Sequence, residues 1–193
     1  MMAEIRTPAA PREVELYRPV ADDWAGLRDI RLRSIANFPL AFFESFAAAL
    51  ALTEADWRER GARNAEPTSV QVVARTPGEQ WVGTMAAFVS TGPPTYQPGA
   101  LSADAPVRAN LVGVWVDPSY RGRTGVATRL LAAVREWVTA EQQLDRLYLH
   151  VHESNHRAIR FYEKNGAVTT GEYIPDPRRP TERHLEMVLG PAR

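Results

Sequence analysis

The sequence contains no cysteine in its 193 residues, which excludes disulfides, thiolate nucleophiles and cysteine-ligated metal sites. A mechanism through an acyl-cysteine is excluded for the same reason. No apolar run reaches the roughly 18 residues that a membrane-spanning helix needs. Neither sign of charge dominates, because 23 Lys and Arg balance 23 Asp and Glu. Nucleic acids and anionic membrane surfaces favour basic proteins, so this balance supports neither kind of partner.

The composition that remains is that of an ordinary globular domain, with 45% hydrophobic and 24% charged residues. The N-terminal stretch MMAEIRTPAAPRE lacks the apolar centre of a secretory signal, so we expect a cytoplasmic protein. Residues 1–11 are rich in Pro and Ala and are predicted to be a flexible N-terminus. Residues 12–190 are predicted to form a single domain.

Hydrophobic periodicity predicts strands and helices that alternate after an initial hairpin. Ser154 is the predicted N-cap of the last helix. A proline-rich segment, 91–106, is either a functional loop or a solvated linker. The order of elements indicates an α/β (α+β) sandwich built on a mixed sheet. The predicted strands are 13–20, 69–76, 80–90, 109–116, 145–151, 167–174 and 183–189, and the predicted helices are 21–38, 53–62, 125–140 and 155–165.

One stretch, 111–138, reads LVGVWVDPSYRGRTGVATRLLAAVREWV and places a strand, a basic glycine turn and a helix N-terminus in succession. A helix N-terminus presents unpaired N–H groups and the positive end of the helix dipole, and small residues let a phosphate approach. The turn matches neither the P-loop nor the G-x-G-x-x-G pattern. The sequence of residues 121–127 therefore predicts a turn that binds a pyrophosphate. The alternative is a solvent-exposed turn that only connects the strand to the helix.

Residues 116–131, VDPSYRGRTGVATRLL, resemble the acyl-CoA motif of the GNAT acetyltransferase superfamily, V-x-P-x-x-R-G followed by G-x-A. Residues 147–167, LYLHVHESNHRAIRFYEKNGA, resemble the second half of that core, N-x-x-A-x-x-x-Y-E-K-x-G. Residues 31–46, RLRSIANFPLAFFESF, are similar to a segment of many bacterial members. The resemblance covers most of 13–189. It implies the GNAT fold, with about seven strands and helices on both faces.

The resemblance implies an N-acetyltransferase that uses acetyl-CoA and in which a small-molecule or peptide amine attacks the thioester directly in a ternary complex. The pantetheine arm would pair with the backbone of Val114, Trp115 and Val116 like an added strand. The motif departs from the family by one extra residue, Thr124, so which amides hold phosphate stays open. The implied cofactor residues further along the chain are Arg121, Gly122, Arg123, Thr124, Gly125, Val126, Ala127, Thr128, Asn155 and Tyr162.

The resemblance also assigns catalytic roles. Tyr162 matches the general acid that protonates the leaving thiolate, and the N–H of Val116 is the candidate donor to the oxygen that gains charge. Asn155 and Tyr162 are seven residues apart and therefore share a helix face. Asn110 stands where the histone-acetylating branch has its glutamate, and an amide can hold a water but cannot take a proton.

Other groups are candidates for the missing base and for the acceptor site. Glu153 and Glu44 are candidate bases, and either is alternatively a surface carboxylate. Phe42 and Glu44 lie in the segment 38–52, which with the 91–106 loop is expected to recognise the acceptor. His150 and His152 have the i, i+2 spacing of some metal sites. No third ligand is evident, so no metal is expected, and His152 is alternatively a base or a packed residue.

A second class of function stays open at this point. The lengthened turn and Asn110 are compatible with an acyl-CoA-binding sensor or scaffold that has little catalytic activity. Dimers are common in the resembling family, so a homodimer is an expectation without support from the residues.

Overall fold

The computed structural model describes residues 13–91 and 106–191. The predicted flexible N-terminus, 1–11, and most of the 91–106 connection lie outside the described residues. The described strands form one mixed sheet in the order β1-β2-β3-β4-β5-β7-β6. They are β1 (Glu15–Tyr17), β2 (Ser69–Arg75), β3 (Trp81–Thr91), β4 (Val107–Val116), β5 (Leu147–His152), β6 (Ala167–Asp176) and β7 (Arg179–Leu189).

Five α-helices flank this sheet in the described part of the chain. A π-helical stretch, Trp137–Glu141, continues the fourth helix. None of the described helices is long and apolar enough to cross a membrane. The helices are α1 (Trp24–Asn37), α2 (Phe46–Leu50), α3 (Glu54–Asn64), α4 (Val126–Glu136) and α5 (His156–Lys164). The predicted fold, a sheet of seven strands with helices on both faces, is confirmed.

Two apolar cores hold the helices to the two faces of the sheet. On one face, Leu130 and Val134 of α4 are fully buried against strands that include Val82 and Leu149. On the other, Ile30 of α1 and Trp57 of α3 pack with Trp115 of β4. Burying one such large apolar side chain contributes about 1.5–3 kcal/mol, so α4 and α1 are held mainly by these stripes.

Side chains cap the starts of helices α3 and α5, and the cap of α5 differs from the predicted one. Thr53 and Asp56 form the capping box of α3, which agrees with the predicted helix start at residue 53. The N-cap of α5 is Asn155, whose side chain accepts a hydrogen bond from the amide of Ala158 at 3.2 Å. The Ser154 prediction was wrong by one residue, because Ser and Asn cap helices equally well and only the backbone path chooses between them.

Two features of β4 position the site. A register shift between β3 and β4 occurs beside Gly113, whose φ is 61°. Such bulges bend a strand and raise its twist. The parallel pairing of β4 with β5 covers the pairs from Ala109↔Leu147 to Leu111↔Leu149. Beyond them the strands diverge, and the second half of β4 presents an open edge.

The C-terminal hairpin is longer than expected. β6 extends to Asp176 and β7 begins at Arg179, whereas the predicted strands end at residue 174 and begin at residue 183, so the connection is a tight turn. The β5–β7 register sets His152 opposite His184 and His150 opposite Glu186. Polar groups far apart in sequence thus meet on one face of the sheet.

Candidate active site

A cavity of about 580 Å³ lies on the α1/α3 face of the sheet, beside the place where β4 and β5 diverge. Helices α1 and α3 form one side, and strands β2 to β5 with α5 form the other. Its lining includes several of the predicted site residues, namely Phe42, Glu44, Asn110, Val114, Asn155 and Tyr162. This size suits a small molecule together with the reacting end of a cofactor.

The backbone of β4 faces the open edge at alternate residues. The amide of Asp117 donates to the carbonyl of Val82 on β3 at 2.8 Å. Backbone groups of successive strand residues point to opposite sides, so the N–H of Val116 points away from β3. The same alternation turns the backbone of Trp115 towards β3, and its indole donates to Asn37 at 3.2 Å. Only Val114 and Val116 of the predicted trio therefore offer backbone groups to a bound strand.

The predicted phosphate turn ends in a helix without a side-chain cap. Gly122 and Gly125 have φ of 77° and 72°, and no atom lies within 4 Å of a Cβ built on either. Gly125 is the N-cap of α4 and has no side chain to bond the first-turn amides. The N–H groups of Val126, Ala127 and Thr128 are thus left for another acceptor.

Arg121 of the turn makes contacts within the protein. The Arg121 guanidinium donates to the carbonyl of Val116 at 2.5 Å and also to the side chain of Asn37. These contacts join the turn to β4 and α1, and the binding of cofactor phosphate by Arg121 stays a prediction. The side chain of Arg123 lies outside the described residues. The hydroxyl of Thr124, the extra residue, donates to the carbonyl of Tyr120 and so closes the lengthened turn.

Tyr162 lies on the face of α5 that the sequence indicated. With Asn155 and Ala158 it lines the cavity. Its side chain is buried, and this burial raises the pKa of the phenol well above its ordinary value. The hydroxyl therefore keeps its proton at neutral pH and is able to donate it.

Asn110 is buried in β4 and holds a fixed orientation. Its Nδ2 donates to the carbonyl of Arg108 at 3.2 Å and to Ser90 at 3.0 Å. A carbonyl can only accept, so this contact identifies the nitrogen of the amide. The opposite atom, Oδ1, is buried without a partner among the described residues. Asn110 thus offers an acceptor and no base, as its residue type predicted.

Neither glutamate proposed as a base is suited to that role. Glu153 lies on the surface, where Arg183 binds it at 2.9 and 3.1 Å. This hydrogen bonding lowers the pKa of Glu153, and the residue is absent from the cavity lining. Its expected catalytic role is therefore corrected: spacing along the chain put it near the site, but its side chain turns to the hairpin.

Glu44 lies in the cavity but is already neutralised. Arg60 binds both of its oxygens, at 2.6 and 3.1 Å, and Arg31 binds one at 2.9 Å. Burial alone would raise the pKa of Glu44, but the hydrogen bonds from Arg60 and Arg31 outweigh it and hold this pKa below its usual range. A carboxylate so stabilised is a weak base.

Three histidines line the cavity, of which His184 was missed by the sequence reasoning. Nε2 of His184 lies 2.9 Å from the Asp176 carboxylate, and the His184 ring packs against Phe43. No local signal could have found this residue, because the β5–β7 register alone brings it beside His152.

Ligand atoms of His152, Asp176 and His184 lie within 4.8 Å of one another, a spacing that a metal could use. The amide of Ser154 donates to Nδ1 of His152 at 3.2 Å, so the ring proton is on Nε2. That Nε2–H donates to Glu182 at 2.7 Å. Both ring nitrogens of His152 are therefore engaged in hydrogen bonds, and the cluster consists of two histidine–carboxylate pairs, His152–Glu182 and His184–Asp176.

His150 is the histidine next to the point where the strands part. It follows Leu149, the last residue of β5 paired with β4. Its Nε2 is 3.8 Å from Glu186, beyond hydrogen-bonding distance. Burial lowers the pKa of His150 and outweighs the attraction of Glu186, so the imidazole is neutral at pH 7. A neutral, partly enclosed imidazole is a suitable proton acceptor.

Comparison with known proteins agrees with this geometry. The model of the Acetyltransferase (GNAT) family matches residues 32–167, so the chain belongs to that family. Membership identifies an acyltransferase and supports acetyl transfer. Comparison with curated proteins gives no significant match.

Solved structures share the fold at low sequence identity. A GNAT-family acetyltransferase from Streptococcus pneumoniae aligns with a TM-score of 0.67 and 19% identity, over 92% of this chain and 99% of that one. Arabidopsis thaliana NAA60, solved with a bisubstrate analogue, aligns with a TM-score of 0.65 and 16% identity, over 92% of this chain and 98% of that one. The spermidine N-acetyltransferase of Vibrio cholerae, solved with CoA and spermine, aligns with a TM-score of 0.65 and 15% identity, over 92% of this chain and 95% of that one.

Proposed function

We propose that this protein transfers an acetyl group from acetyl-CoA to a primary amine by direct attack in a ternary complex. The observation that carries the proposal is the open edge of β4 at Val114 and Val116, between the uncapped start of α4 and the buried hydroxyl of Tyr162. Family membership supports acetyl transfer in general. The cofactor and the amine acceptor are our extension of it.

The residues present fit the cofactor. Gly125 leaves the first-turn amides of α4 unsatisfied and leaves space above them, as a pyrophosphate requires. The backbone N–H and C=O of Val114 would bind the pantetheine arm as an added strand would, and the N–H of Val116 stays available for the thioester oxygen. When bound, acetyl-CoA supplies the thioester as an activated acyl group.

Three groups of this chain would then act on the reaction. The N–H of Val116 would donate to the carbonyl oxygen that gains negative charge. Tyr162 would give its proton to the departing sulfur as the C–S bond breaks. His150 would remove the proton that the amine nitrogen loses as the new C–N bond forms, directly or through a water that the side chain of Asn110 holds. Tyr162 would then be a tyrosinate and His150 an imidazolium, so the net charge of the protein is unchanged. Transfer of the proton from His150 back to Tyr162 through solvent would restore both residues.

An acyl-CoA-binding sensor with little catalysis is the second candidate. The observation that favours it is the absence of a usable carboxylate base among the described cavity residues, since Glu44 is held by two arginines. Under this alternative the Tyr162 hydroxyl has no chemical role, and its removal would leave the biological function of the protein intact.

The deciding experiment is a calorimetric titration with acetyl-CoA, CoA and dephospho-CoA, followed by mass spectrometry of a panel of amines incubated with enzyme and acetyl-CoA. One-site binding with acetylated products would support the enzyme. Binding without any product would favour the sensor, and a folded protein that binds no CoA would contradict both.

We also propose a cytoplasmic location, and light scattering would test the homodimer.

A further inference from the structure

A buried carboxylate lies next to His150 on the cavity face of the sheet. Leu147, Leu149 and Val151 of β5 are buried in the core beneath α4, so the alternate residues of this strand turn to the opposite face. The β5–β7 register sets His150 directly opposite Glu186, and directly opposite residues of an antiparallel pair share a face. His150 lines the cavity, whereas Glu186 is not among the described lining residues. Glu186 therefore lies beside the proposed base without itself meeting a substrate.

Glu186 is 4% exposed, and both of its carboxylate oxygens are engaged. The guanidinium of Arg108, from β4, lies over the Tyr148 ring at 3.6 Å and donates to Oε2 of Glu186 at 2.8 Å. The hydroxyl of Thr170, from β6, donates to Oε1 at 2.9 Å. A buried ion pair adds little to stability, because the loss of hydration of two charges offsets their attraction. Contacts from two other strands thus fix this carboxylate in place, and stability alone does not account for it.

The fixed carboxylate faces the imidazole of His150. Oε2 of Glu186 is 3.8 Å from Nε2 of His150, too far for a hydrogen bond in this state of the ring. An opposite charge within about 4–6 Å nevertheless favours the charged form of a titratable group. Burial lowers the pKa of His150, and the attraction of Glu186, which raises this pKa, exceeds the opposing effects of Arg108 and His184. Glu186 is therefore the group that favours a proton on His150.

Other titratable groups surround the cavity on other elements. The charged ones on its opposite wall are Arg31, Glu44, Arg60 and Arg63. Those on the sheet side, besides the histidine of β7, are Tyr148, His152 and Tyr162. Among the described carboxylates, that of Glu186 is the one within 4.0 Å of a His150 nitrogen.

We propose that Glu186 is a positioning residue for His150, which orients the imidazole and stabilises the imidazolium that forms when His150 takes the proton of the amine. The inference rests on the proposed function and assigns a further residue to it. A carboxylate beside Nε2 favours the tautomer with the proton on that nitrogen, which leaves Nδ1 as the acceptor. As the N–H bond of the amine breaks and the Nδ1–H bond forms, the positive charge of the ring faces a negative carboxylate that is already in place.

The first test measures His150 without any substrate. The chain has four histidines, so an NMR titration of the imidazole protons gives few signals, and His150→Gln identifies the signal of this residue. Glu186→Gln removes the charge and keeps the shape of the side chain, so the midpoint of the His150 titration should move to lower pH. Arg108→Gln removes the opposing cation, so the midpoint should move to higher pH. A structural disturbance alone would not move the two variants in opposite directions.

The second test is kinetic. In Glu186→Gln, kcat at pH 7 should fall about tenfold, a part of the roughly 100-fold or more that a positioned base contributes. KM for the amine and affinity for CoA should stay close to wild type. The pH dependence of kcat/KM reports groups of the free enzyme, so its midpoint should follow the NMR midpoint downwards in Glu186→Gln and upwards in Arg108→Gln.

Glu182→Gln is the matched control. Glu182 is a second glutamate of β7 that pairs with a histidine of β5, since it accepts a hydrogen bond from Nε2 of His152 at 2.7 Å. Its replacement should leave the His150 midpoint and kcat unchanged. If Glu182→Gln lowers kcat as much as Glu186→Gln does, a general disturbance of the hairpin explains the loss and the inference is wrong.

Failure of the inference and failure of the proposed function give different results. An unchanged His150 midpoint in folded Glu186→Gln overturns the inference whether or not the protein acetylates amines, and a shifted midpoint with an unchanged rate profile overturns it while leaving acetyl transfer intact. If Glu186→Gln does not fold, Arg108→Gln decides, and an unchanged midpoint there counts against the inference. If the midpoints shift but the wild type binds CoA and acetylates no amine, the proposed function is contradicted, and the catalytic use of Glu186 with it.

Discussion

Leu111 of β4 and Leu149 of β5 form the last pair of the parallel register between the two strands. Both side chains are buried in the core beneath α4 and α5. One residue further along β5 is His150, and two residues further along β4 is Gly113 with its positive φ. The end of this pairing therefore produces both the open edge of β4 and the position of the proposed base.

Replacing Tyr162 with Phe removes the proposed acid and preserves the buried ring. We expect kcat to fall about 100-fold or more, because the sulfur then leaves without a proton. Affinity for CoA and the melting temperature should change little. Because burial raises the pKa of this phenol, the wild-type rate should show no loss of the acid up to pH 10. Wild-type activity in a well-folded Y162F would contradict the assigned role.

Replacing Gly125 with Glu should abolish binding of CoA, because it sets a carboxylate and a side chain where a pyrophosphate is expected. The matched control is Gly166→Glu at the end of α5, where φ is 89° and the space around a Cβ is equally open. Both substitutions force a side chain into left-handed backbone and should cost about 1–2 kcal/mol. Calorimetric titration of both variants with CoA separates the two causes. Loss of CoA binding in Gly125→Glu alone means that the phosphate site is lost, whereas loss in both variants means that backbone strain is responsible.

Replacing His150 with Gln should lower kcat/KM about 100-fold at pH 7, since the base is lost. The base works in its neutral form, and its pKa is below the ordinary 6.5. The wild-type rate should therefore rise with pH through a value below 6.5 and then level off, and this step should vanish in the variant. Glu153→Gln serves as control and should keep the wild-type profile, because Glu153 binds Arg183 at the surface.

Replacing Asp176 with Asn should reduce the free energy of unfolding by about 1–3 kcal/mol at pH 7. The carboxylate accepts hydrogen bonds from the amides of Arg178 and Arg179 at 2.8 and 3.0 Å, besides its contact with His184. Burial alone would raise the pKa of Asp176, but these hydrogen bonds hold it below the ordinary 3.8. Urea unfolding of both proteins at several pH values measures the effect.

The sign of the pH dependence follows from the two lowered pKa values. The contribution of Asp176 is present above pH 3.8 and is lost as pH falls through the folded value. Burial lowers the pKa of His184 below 6.5, so the unfolded chain takes up that proton first and stability falls as pH drops below 6.5. The stability difference between wild type and D176N should persist at pH 5 and narrow below pH 4. A constant difference down to pH 3 would contradict the pairing.

The order of the elements, the glycine turn before α4 and the helix face that carries Tyr162 could all be predicted from the sequence. These are local properties. Each is specified by residues close together in the sequence. Examples are the alternation of apolar and polar residues along a strand, the apolar stripe of Leu130 and Val134 on α4, and the glycine at the start of that helix. The spacing of Asn155 and Tyr162 likewise follows from helical geometry alone.

The polar side chains that share the cavity come together only through long-range contacts. The β5–β7 register brought His184 beside His152, and the packing of α1 and α3 brought Arg31 and Arg60 onto Glu44. Strand pairing and helix packing join residues that no periodicity relates. The hydrogen bonding of each carboxylate, and with it our preference for His150 over Glu153 as the proposed base, therefore depends on long-range contacts that the chain acquires only on folding.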